Sequence, residues 1–437
     1  MAVKTSKNLR NKVIYQIFTR NYKEGTFKAI EADLQRIKDL GVDIIYLLPI
    51  HPNGEINRKG SIGSPYAVKD YREIDPRQGT MEDFVHLTEA IHALGMQVML
   101  DLVYNHTSPD SWLVFNNPEW FYRRENGRFG NKIGDWWDVI DLDYSKKGLW
   151  EYQIETMKIW ANYVDGFRCD VAPLVPLEFW LKARKEIDKV RPDLIWLAES
   201  IEPHFVRDCR KSGIYAASDS EMYQAFDICY DYDIYKYQSG ALRGDYTLGY
   251  YLHHVNLQEA IYPDNYSKLR CLENHDRPRA AAMIPDEQLL RNWTAWIYFA
   301  KGTTMIYAGQ EYCDSHHPTL FDSDPIIFDE KKDISPLMSK LAEIKKAPVF
   351  AYSSFEAKAI GNGGNVIYAK YEGDSDAPIE MQTVVGIFST TNMKQSLKVE
   401  IPDGYYTNAI TGEQIHVFEN TVTCNAEPII IFLYNKK

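Results

Sequence analysis

The chain alternates short apolar segments with segments of helical period, and this alternation constrains its fold more than any other feature. Val13–Phe18 is an apolar run of the kind that forms a strand. Residues 27–40 follow with apolar side chains three and four positions apart, which predicts a helix. Gly41 comes directly after, where a helix cap is expected. The same order recurs, so the sequence predicts successive strand–helix units.

Eight strands of this kind are predicted before residue 348. They are Val13–Phe18, Asp43–Ile50, Gln97–Asn105, Val164–Cys169, Ile195–Ala198, Gly213–Ala217, Leu269–Leu272 and Thr303–Tyr307. Their nearly continuous apolar character indicates parallel strands that are buried on both faces. Right-handed crossovers close eight such units into a (β/α)8 barrel. A doubly wound sheet is the weaker alternative, because no GxGxxG motif follows the first strand.

Two segments depart from the alternation. Between the third and fourth strands the chain runs for about sixty residues, far longer than an ordinary loop. Its part from 107 to 144 is rich in Trp, Asn, Gly and Arg, and we expect a short excursion over the barrel mouth. After residue 348 the alternating runs NVIYAKYE, TVVGIFST, SLKVEI, TVTC and PIIIFLY predict a C-terminal antiparallel β domain. The predicted domains are therefore a barrel (1–106 and 145–347), the excursion (107–144) and a β domain (348–437).

Charge and cysteine spacing exclude several classes of function. The formal net charge of −12 argues against a nucleic-acid partner, whose phosphates need a basic surface. No segment has the roughly 18 consecutive apolar residues of a membrane span, so no membrane partner is expected. The six cysteines have no CxxC spacing, which predicts neither a zinc site nor a disulfide framework. The first residues lack the apolar core of a leader peptide, and we expect a cytoplasmic protein.

Polar residues cluster where four of the predicted strands end. Barrels of this kind carry their functional groups at the carboxyl ends of the strands. The four clusters are Asp101–His106, Asp165–Asp170, Leu197–Ser200 and Glu273–Asp276. A single carboxylate at a strand end is explained by a structural role, in a salt bridge or as a loop cap. Several carboxylates with an arginine and two histidines at one barrel mouth cost stability unless function requires them.

The period of the fourth strand assigns different roles to two of these carboxylates. Arg168 and Asp170 share one face of the strand, so both can enter the barrel mouth. A guanidinium lowers the pKa of a close carboxylate by about 1–3 units, which suits Asp170 as a nucleophile. Glu199 has no cation beside it in sequence, and enclosure near other carboxylates should raise its pKa, as a general acid requires. Two carboxylates that flank one bond are what glycoside hydrolysis needs.

These segments resemble the four short signatures of glycoside hydrolase family 13, the α-amylase family. DLVYNHTS, GFRCDVA, LAES and ENHD follow one another in the order of that family. SIGSPYAVKDYREIDPRQGT is similar to the segment after its second barrel strand, and GTTMIYAGQE to its eighth strand. The resemblance spans nearly the whole chain, including the short excursion and the β domain. Its nearest branch is that of the neopullulanases and maltogenic amylases, although Pro173 stands where that branch often has Asn.

The resemblance implies a role for each residue of the site. Asp170 would be the nucleophile, Glu199 the general acid/base and Asp276 the third carboxylate, which holds sugar hydroxyls. The substrate-binding residues would be Tyr66, His106, Arg168 and His275. Asp101 and Asn105 would be structural within the site. Asn105 is also the calcium ligand of the first signature, but the other usual ligands are not recognisable after Asp170. We therefore expect no required cofactor and no firm metal ligand.

The sequence predicts a retaining hydrolase of α-1,4 bonds in maltodextrins or starch, with an α-glucan oligosaccharide as its partner. A 4-α-glucanotransferase or a neopullulanase- or cyclomaltodextrinase-like enzyme is the close alternative, because these use the same covalent intermediate. A metal-dependent barrel hydrolase would need closely spaced His ligands after the first strand, and VIYQIFTRN has none. A non-catalytic glucan-binding protein would usually have lost one of the three carboxylates.

Overall fold

The computed structural model describes residues 4–134, 136–373 and 382–434 and contains a closed barrel of eight parallel strands. The strands are β1 (Val13–Ile17), β2 (Ile44–Leu47), β3 (Gln97–Leu102), β4 (Gly166–Cys169), β5 (Ile195–Ala198), β6 (Ile228–Tyr230), β7 (Lys268–Arg270) and β8 (Thr303–Tyr307). Each strand pairs with the next in chain order, and β8 pairs with β1. The predicted (β/α)8 barrel is confirmed. The predicted domain ranges also include residues 1–3, 135, 374–381 and 435–437, which lie outside the described residues.

Helices surround the barrel and connect its strands. The α-helices are α1 (Phe27–Glu31), α2 (Leu34–Asp39), α3 (Met81–Ala93), α4 (Trp112–Asn116), α5 (Lys147–Ala161), α6 (Leu177–Ile187), α7 (Pro203–Lys211), α8 (Asp219–Met222), α9 (Tyr235–Arg243), α10 (Leu248–Ile261), α11 (Ala280–Met283), α12 (Glu287–Phe299), α13 (Ser335–Lys345) and α14 (Val349–Tyr352). Short 3-10 helices lie at Lys7–Asn11, Thr19–Asn21, Pro118–Trp120, Ala172–Leu174, Gln310–Tyr312 and Glu330–Lys332.

The first predicted helix is interrupted. One helix was expected over residues 27–40, but it is divided between α1 and α2 at Ala32 and Asp33. The Asp33 carboxylate accepts hydrogen bonds from Arg36 and Tyr22 and lies 2.8 Å from the Lys23 ammonium. These contacts hold Asp33 outside helical geometry, since a short acidic side chain competes readily for local partners. Gly41 has the left-handed conformation that a helix end requires (φ 80°).

The prediction of the sixth strand is wrong. Gly213–Ala217 is a loop, and the sixth barrel strand is the three-residue β6 farther along the chain. Ile214 and Ala216 belong to a small apolar cluster outside the barrel, together with Val206 and Cys209 of α7. Burial in that cluster accounts for the apolar residues that resembled a strand. A strand of three residues is too short to give a periodic signal of its own.

Two layers of apolar side chains hold the barrel together. Inside the ring, a cluster that includes Ile14, Tyr46, Met99, Leu197 and Met305 fills the space between the strands. A larger cluster lies between the outer face of the strands and the surrounding helices. Both faces of the strands are therefore buried, as their continuous apolar sequences predict.

The C-terminal part is an antiparallel β domain, as expected. Its strands are β9 (Ser354–Ile360), β10 (Val366–Glu372), β11 (Gln382–Ser389), β12 (Gln395–Lys398), β13 (Gly404–Thr407), β14 (Gln414–Phe418), β15 (Thr421–Cys424) and β16 (Ile429–Tyr434). They form two four-stranded sheets, in the orders β9-β10-β11-β16 and β12-β15-β14-β13, with an apolar core between them. The sequence did not predict β9, β13 or β14.

The β domain and the excursion both pack against the barrel. Phe299 and Trp296 of α12 contact the ring of Phe388 on β11, with ring centres 5.3 and 6.0 Å apart. The excursion between β3 and β4 is fastened by a two-stranded sheet of His106–Thr107 with Ile140–Asp141. The domain boundaries near residues 107, 145 and 348 stay predictions. Among the described residues, no helix is both long enough and apolar enough to cross a membrane.

The close pairing of β7 with β8 depends on the absence of a side chain at Gly302. Gly302 has φ 140°, and a Cβ there would lie only 2.3 Å from the carbonyl oxygen of Lys268. We expect Gly302→Ala to lower the free energy of unfolding by about 3 kcal/mol. The new Cβ would displace the backbone of Lys268, and the alanine would be strained at this positive φ. Gly95→Ala is the control: it is also left-handed (φ 70°) but has open space. It should cost only about 1 kcal/mol. Urea unfolding of both variants decides, and equal costs would contradict this account.

Candidate active site

The carboxyl ends of β3, β4, β5 and β7 bring the predicted site residues to one mouth of the barrel. In the strand register Asp101 pairs with Arg168, and Arg168 pairs with Leu197, two residues before Glu199. Asp276 follows β7 on the same side of the ring. Parallel strands end at one edge, so these side chains converge although they are far apart in sequence.

The guanidinium of Arg168 lies at the centre of the site. Its Nη1 donates to Asp101 Oδ1 at 2.8 Å and to Asp170 Oδ1 at 2.9 Å. Its Nη2 lies 3.0 Å from Glu199 Oε1. Arg168 is 0% exposed, so these interactions are little screened by water. Glu199 has no cation beside it in sequence, but in the structure β4 presents the same arginine to both carboxylates.

Burial dominates the acid–base behaviour of the two central carboxyls. Burial raises the pKa of Asp170 well above its usual value; the charge of Glu199 raises it further and Arg168 opposes this shift. Burial also raises the pKa of Glu199, against the opposing charge of Arg168. Arg168 does lower the pKa of Asp170, as expected, but burial and the charge of Glu199 outweigh it in the free site. The pair therefore tends to retain a proton, which a general acid can donate.

Asp276 is the carboxylate that stays ionised. Burial raises its pKa, but the charge and hydrogen bond of His275 outweigh burial and bring the pKa to about 2. His275 Nε2 lies 3.1 Å from Asp276 Oδ2. The Gln16 amide donates to His275 Nδ1 at 3.0 Å while its oxygen accepts from the His275 backbone N–H. This leaves Nε2 as the protonated ring nitrogen, directed at Asp276.

Tyr66 and His106 complete the set of predicted residues. The Tyr66 hydroxyl donates to Asp101 Oδ2 at 3.0 Å and lies 2.6 Å from His275 Nε2. His106 Nε2 lies 3.8 Å from Asp170 Oδ2, and its Nδ1 accepts from the Asn105 amide at 3.1 Å. Burial lowers the pKa of His106 to about 4, so the ring is neutral at neutral pH. A neutral ring with Nε2 protonated can donate a hydrogen bond into the cleft.

A cleft of about 260 Å³ opens above these groups. Of the seven predicted catalytic and substrate-binding residues, five line it directly, whereas Arg168 and His275 lie beneath. The five are Tyr66, His106, Asp170, Glu199 and Asp276. A larger cavity of about 640 Å³ lies beside α7 and contains none of these seven. The chemistry therefore belongs to the smaller cleft, where perturbed carboxyls converge.

The walls of the cleft include residues that the sequence analysis did not identify. They are Lys59, Ser64, Trp136, Asp138, Val139, Val171, Leu320 and Phe321. The tryptophan-rich composition of the excursion was a signal for Trp136. Ser64 and Val171 lie within segments that carry the family resemblance. The others lie on loops without a motif, and their positions follow only from the tertiary fold.

Lys132 and Asn105 are linked through the backbone of Leu142 in the excursion. Among the described residues, no group of three or more His, Cys, Asp and Glu could hold a metal ion. In the excursion, Asp141 accepts from the Lys132 backbone N–H at 2.7 Å, and the Lys132 ammonium donates to the carbonyl of Leu142 at 2.8 Å. The backbone N–H of Leu142 in turn donates to the carbonyl of Asn105. The backbone of Leu142 is therefore bonded to a lysine cation through its carbonyl and to Asn105 through its N–H. Calcium needs about 6–8 oxygen ligands.

Comparison with known protein families gives two matches. The model of the α-amylase catalytic domain matches residues 10–117 and 109–346. The model of the bacterial α-amylase C-terminal domain matches residues 359–431, within the β domain. Together they cover most of the chain.

Solved structures of similar fold cover the whole length of this chain. An α-amylase from Lactobacillus plantarum is 43% identical, with a TM-score of 0.94, and 98% of this chain and 100% of that chain are covered. A noncanonic maltogenic α-amylase from Thermotoga neapolitana is 34% identical, with a TM-score of 0.86 and the same coverage.

Several curated proteins of similar sequence are maltosyltransferases rather than amylases. The α-1,4-glucan:maltose-1-phosphate maltosyltransferase of Myxococcus xanthus is 31% identical over 212 residues, which are 43% of this chain and 32% of that protein. The chain therefore spans about a third of the length of the curated relatives it matches.

The raised pKa of Asp170 predicts a gain in stability when its charge is removed. A folded-state pKa above the unfolded value means that ionisation opposes folding. The penalty is present at neutral pH, shrinks as pH falls below the folded pKa and is gone below the unfolded pKa. We expect Asp170→Asn to raise Tm by about 3 °C near neutral pH. The gain should shrink in acid, where wild-type Asp170 is protonated. Thermal unfolding across pH tests this, and a variant less stable than wild type at neutral pH would contradict it.

Proposed function

Because the chain belongs to the α-amylase family of glycoside hydrolases, we propose that it hydrolyses α-1,4 bonds of maltodextrins with retention of configuration. The observation that carries this proposal is the contact of one buried guanidinium with both central carboxyls. Arg168 holds Asp170 and Glu199 at 2.9 and 3.0 Å from adjacent nitrogens. Two carboxyls positioned together in this way suit a double-displacement mechanism, in which they are about 5–5.5 Å apart.

In the first step Asp170 attacks the anomeric carbon of the sugar. Glu199 donates its proton to the glycosidic oxygen, the bond to the leaving chain breaks, and a glycosyl–Asp170 ester forms. The raised pKa of Glu199 supports this role, because the carboxyl must hold a proton before the reaction. Arg168 Nη1 bonds Asp170 Oδ1, which stabilises this carboxylate as it becomes the nucleophile.

In the second step water resolves the ester. The Glu199 carboxylate removes a proton from water, and the water oxygen forms a bond to the anomeric carbon as the bond to Asp170 breaks. Both carboxyls return to their starting states. The two displacements each invert the anomeric carbon, so the product keeps the configuration of the substrate.

The remaining residues bind the sugar that reacts. Asp276, ionised with a pKa of about 2, can accept hydrogen bonds from sugar hydroxyls. His106 can donate to the same sugar, whereas His275 lies beneath the cleft and holds Asp276 through Nε2. The ring of Tyr66, held by its bonds to Asp101 and His275, offers an apolar face beneath the sugar. These positioning contacts orient the anomeric carbon toward Asp170.

Removal of the general acid tests this mechanism. We expect Glu199→Gln to lower kcat on maltoheptaose at least ~100-fold, because the leaving oxygen no longer receives a proton. A maltosyl fluoride needs no acid to leave, so the variant should still form the glycosyl ester rapidly with that substrate. Azide should then restore turnover, because it attacks without a base. Glu178→Gln is the matched control, since Glu178 is exposed on α6.

Two results would contradict the assignment. One is near-normal hydrolysis of maltoheptaose by folded Glu199→Gln. The other is an equal loss in the rate of glycosyl-ester formation from maltosyl fluoride and from maltoheptaose, because the general acid matters in that step only for the poor leaving group.

Transglycosylation is the second candidate, and the curated maltosyltransferase relatives favour it. The glycosyl ester can pass to a sugar hydroxyl instead of water, so both reactions share Asp170 and Glu199. Product analysis at high maltotriose concentration separates them. Products longer than maltotriose as the main outcome would support a transferase, and maltose with glucose would support the hydrolase.

We also propose that the enzyme needs no calcium, because the Lys132 ammonium bonds the Leu142 carbonyl within the excursion and the Leu142 N–H bonds directly to the carbonyl of Asn105. Addition of EDTA should leave Tm within about 2 °C of its initial value, whereas a bound metal at 100 times its Kd would contribute about 2.7 kcal/mol. A large fall in Tm that calcium reverses would contradict this. Lys132→Met should lower Tm with or without calcium.

A cytoplasmic location is proposed on the basis of the cysteines. All six are free thiols, and five of them are buried. Free thiols are the usual state in a reducing compartment. The physiological substrate would then be soluble maltodextrin rather than granular starch. Fractionation of the source cells tests the location, and activity confined to the medium would contradict it.

A further inference from the structure

Three segments meet around Lys59 in the wall of the catalytic cleft. The Lys59 ammonium lies 2.7 Å from Asp138 Oδ1, and the Asp138 side chain is only 5% exposed. The same ammonium lies 5.3 Å from the ring centre of Trp137 and 5.6 Å from that of Phe321. We name Lys59, Asp138 and Phe321 the Lys59 clamp. It joins the loop after β2, the excursion and the loop after β8.

Backbone hydrogen bonds fix the loop after β2 to the loop after β8. The N–H groups of Ile62 and Gly63 both donate to the carbonyl of Phe321, at 3.0 and 3.1 Å. Ser61 donates to Asp322 Oδ1 through its backbone N–H at 2.7 Å and its hydroxyl at 2.6 Å. Gly60 has φ 62°, and a Cβ there would lie 2.7 Å from Phe321 Cβ. The two loops therefore touch along their backbones.

Arg20 supports this contact from below. Its Nη1 donates to the carbonyl of Gly63 at 2.8 Å and to that of Leu320 at 3.0 Å. One guanidinium thus bonds both loops at once. Two hydrogen bonds from one guanidinium hold the two loops together more firmly than a single exposed ion pair would.

The order of strands identifies which end of the cleft the clamp occupies. Glu199 follows β5, and in a ring of eight strands β1 lies opposite β5. The loops after β2 and β8 flank β1, so the clamp lies across the mouth from Glu199. Glu199 protonates the oxygen of the leaving chain, which must extend on its own side. The clamp therefore faces the sugar units that precede the scissile bond, toward the nonreducing end of the glucan.

We propose that the Lys59 clamp limits the enzyme to the nonreducing ends of glucans, from which it releases a short unit. This inference rests on the proposed function, because it uses Glu199 as the acid that sets the direction of the chain. The clamp also differs from an ordinary surface ion pair, which contributes little to the stability of a fold. Asp138 is nearly buried, two aromatic rings cover the ammonium, and both charged groups line the cleft.

Two forms of one substrate test the closed end. 4-Nitrophenyl maltoheptaoside has a free nonreducing end, whereas the 4,6-O-ethylidene derivative carries a cap at that end. We expect wild-type kcat/KM, measured by chromatography of the first products, to be about tenfold lower for the capped substrate, because the closed end rejects the cap. Lys59→Met with Asp138→Asn removes both charges without leaving either one unpaired. In this double variant the ratio should fall to about threefold or less.

A lysine outside the cleft provides the matched control. Lys340 pairs with Glu343 at 2.9 Å on α13, and the control variant is Lys340→Met. It should keep the wild-type ratio. Equal wild-type turnover of both substrates would overturn the closed end without any variant. A folded double variant that keeps the wild-type ratio would overturn the role of the clamp. If wild type cleaved neither substrate, the proposed function itself would fail.

Discussion

The buried guanidinium of Arg168 is the interaction on which the site depends. It lies 2.8 to 3.0 Å from Asp101, Asp170 and Glu199, and it is fully buried. A buried charge is tolerated only when partners surround it, so each carboxylate stabilises the arginine as much as the arginine orients the carboxylate. Asp101 is itself held by the hydroxyls of Tyr46 and Tyr66. Removal of Arg168 would leave its three carboxylate partners without their common cation in a region of low dielectric.

The barrel supplies what this arrangement requires. Adjacent parallel strands hold Arg168 between Asp101 and Glu199 with little freedom, because both neighbours are set by register. The mouth is covered by long loops rather than by the barrel itself, and these loops define the cleft. The strands thus hold the central carboxyls rigidly, whereas the loops form the walls of the cleft. The β domain packs against α12, on the outside of the barrel.

The sequence predicted the barrel well because its strands are continuously apolar and its helices are periodic. It failed where those signals are weak. Gly213–Ala217 has the apolar content of a strand but packs in a satellite cluster, whereas β6 has only three residues. In the site, the strand period placed Arg168 beside Asp170 correctly. That period could not show that Glu199 meets the same guanidinium, nor that Lys59 reaches Asp138, since both contacts join distant segments.

The central claim is that Asp170 and Glu199 act together through a covalent glycosyl–enzyme intermediate. The configuration of the first product tests this most directly, because a double displacement retains the anomeric configuration and a single displacement inverts it. Proton NMR of maltoheptaose hydrolysis, recorded before mutarotation, distinguishes the two anomers. The account predicts that the new reducing end appears first as the α-anomer. An initial β-anomer would contradict it.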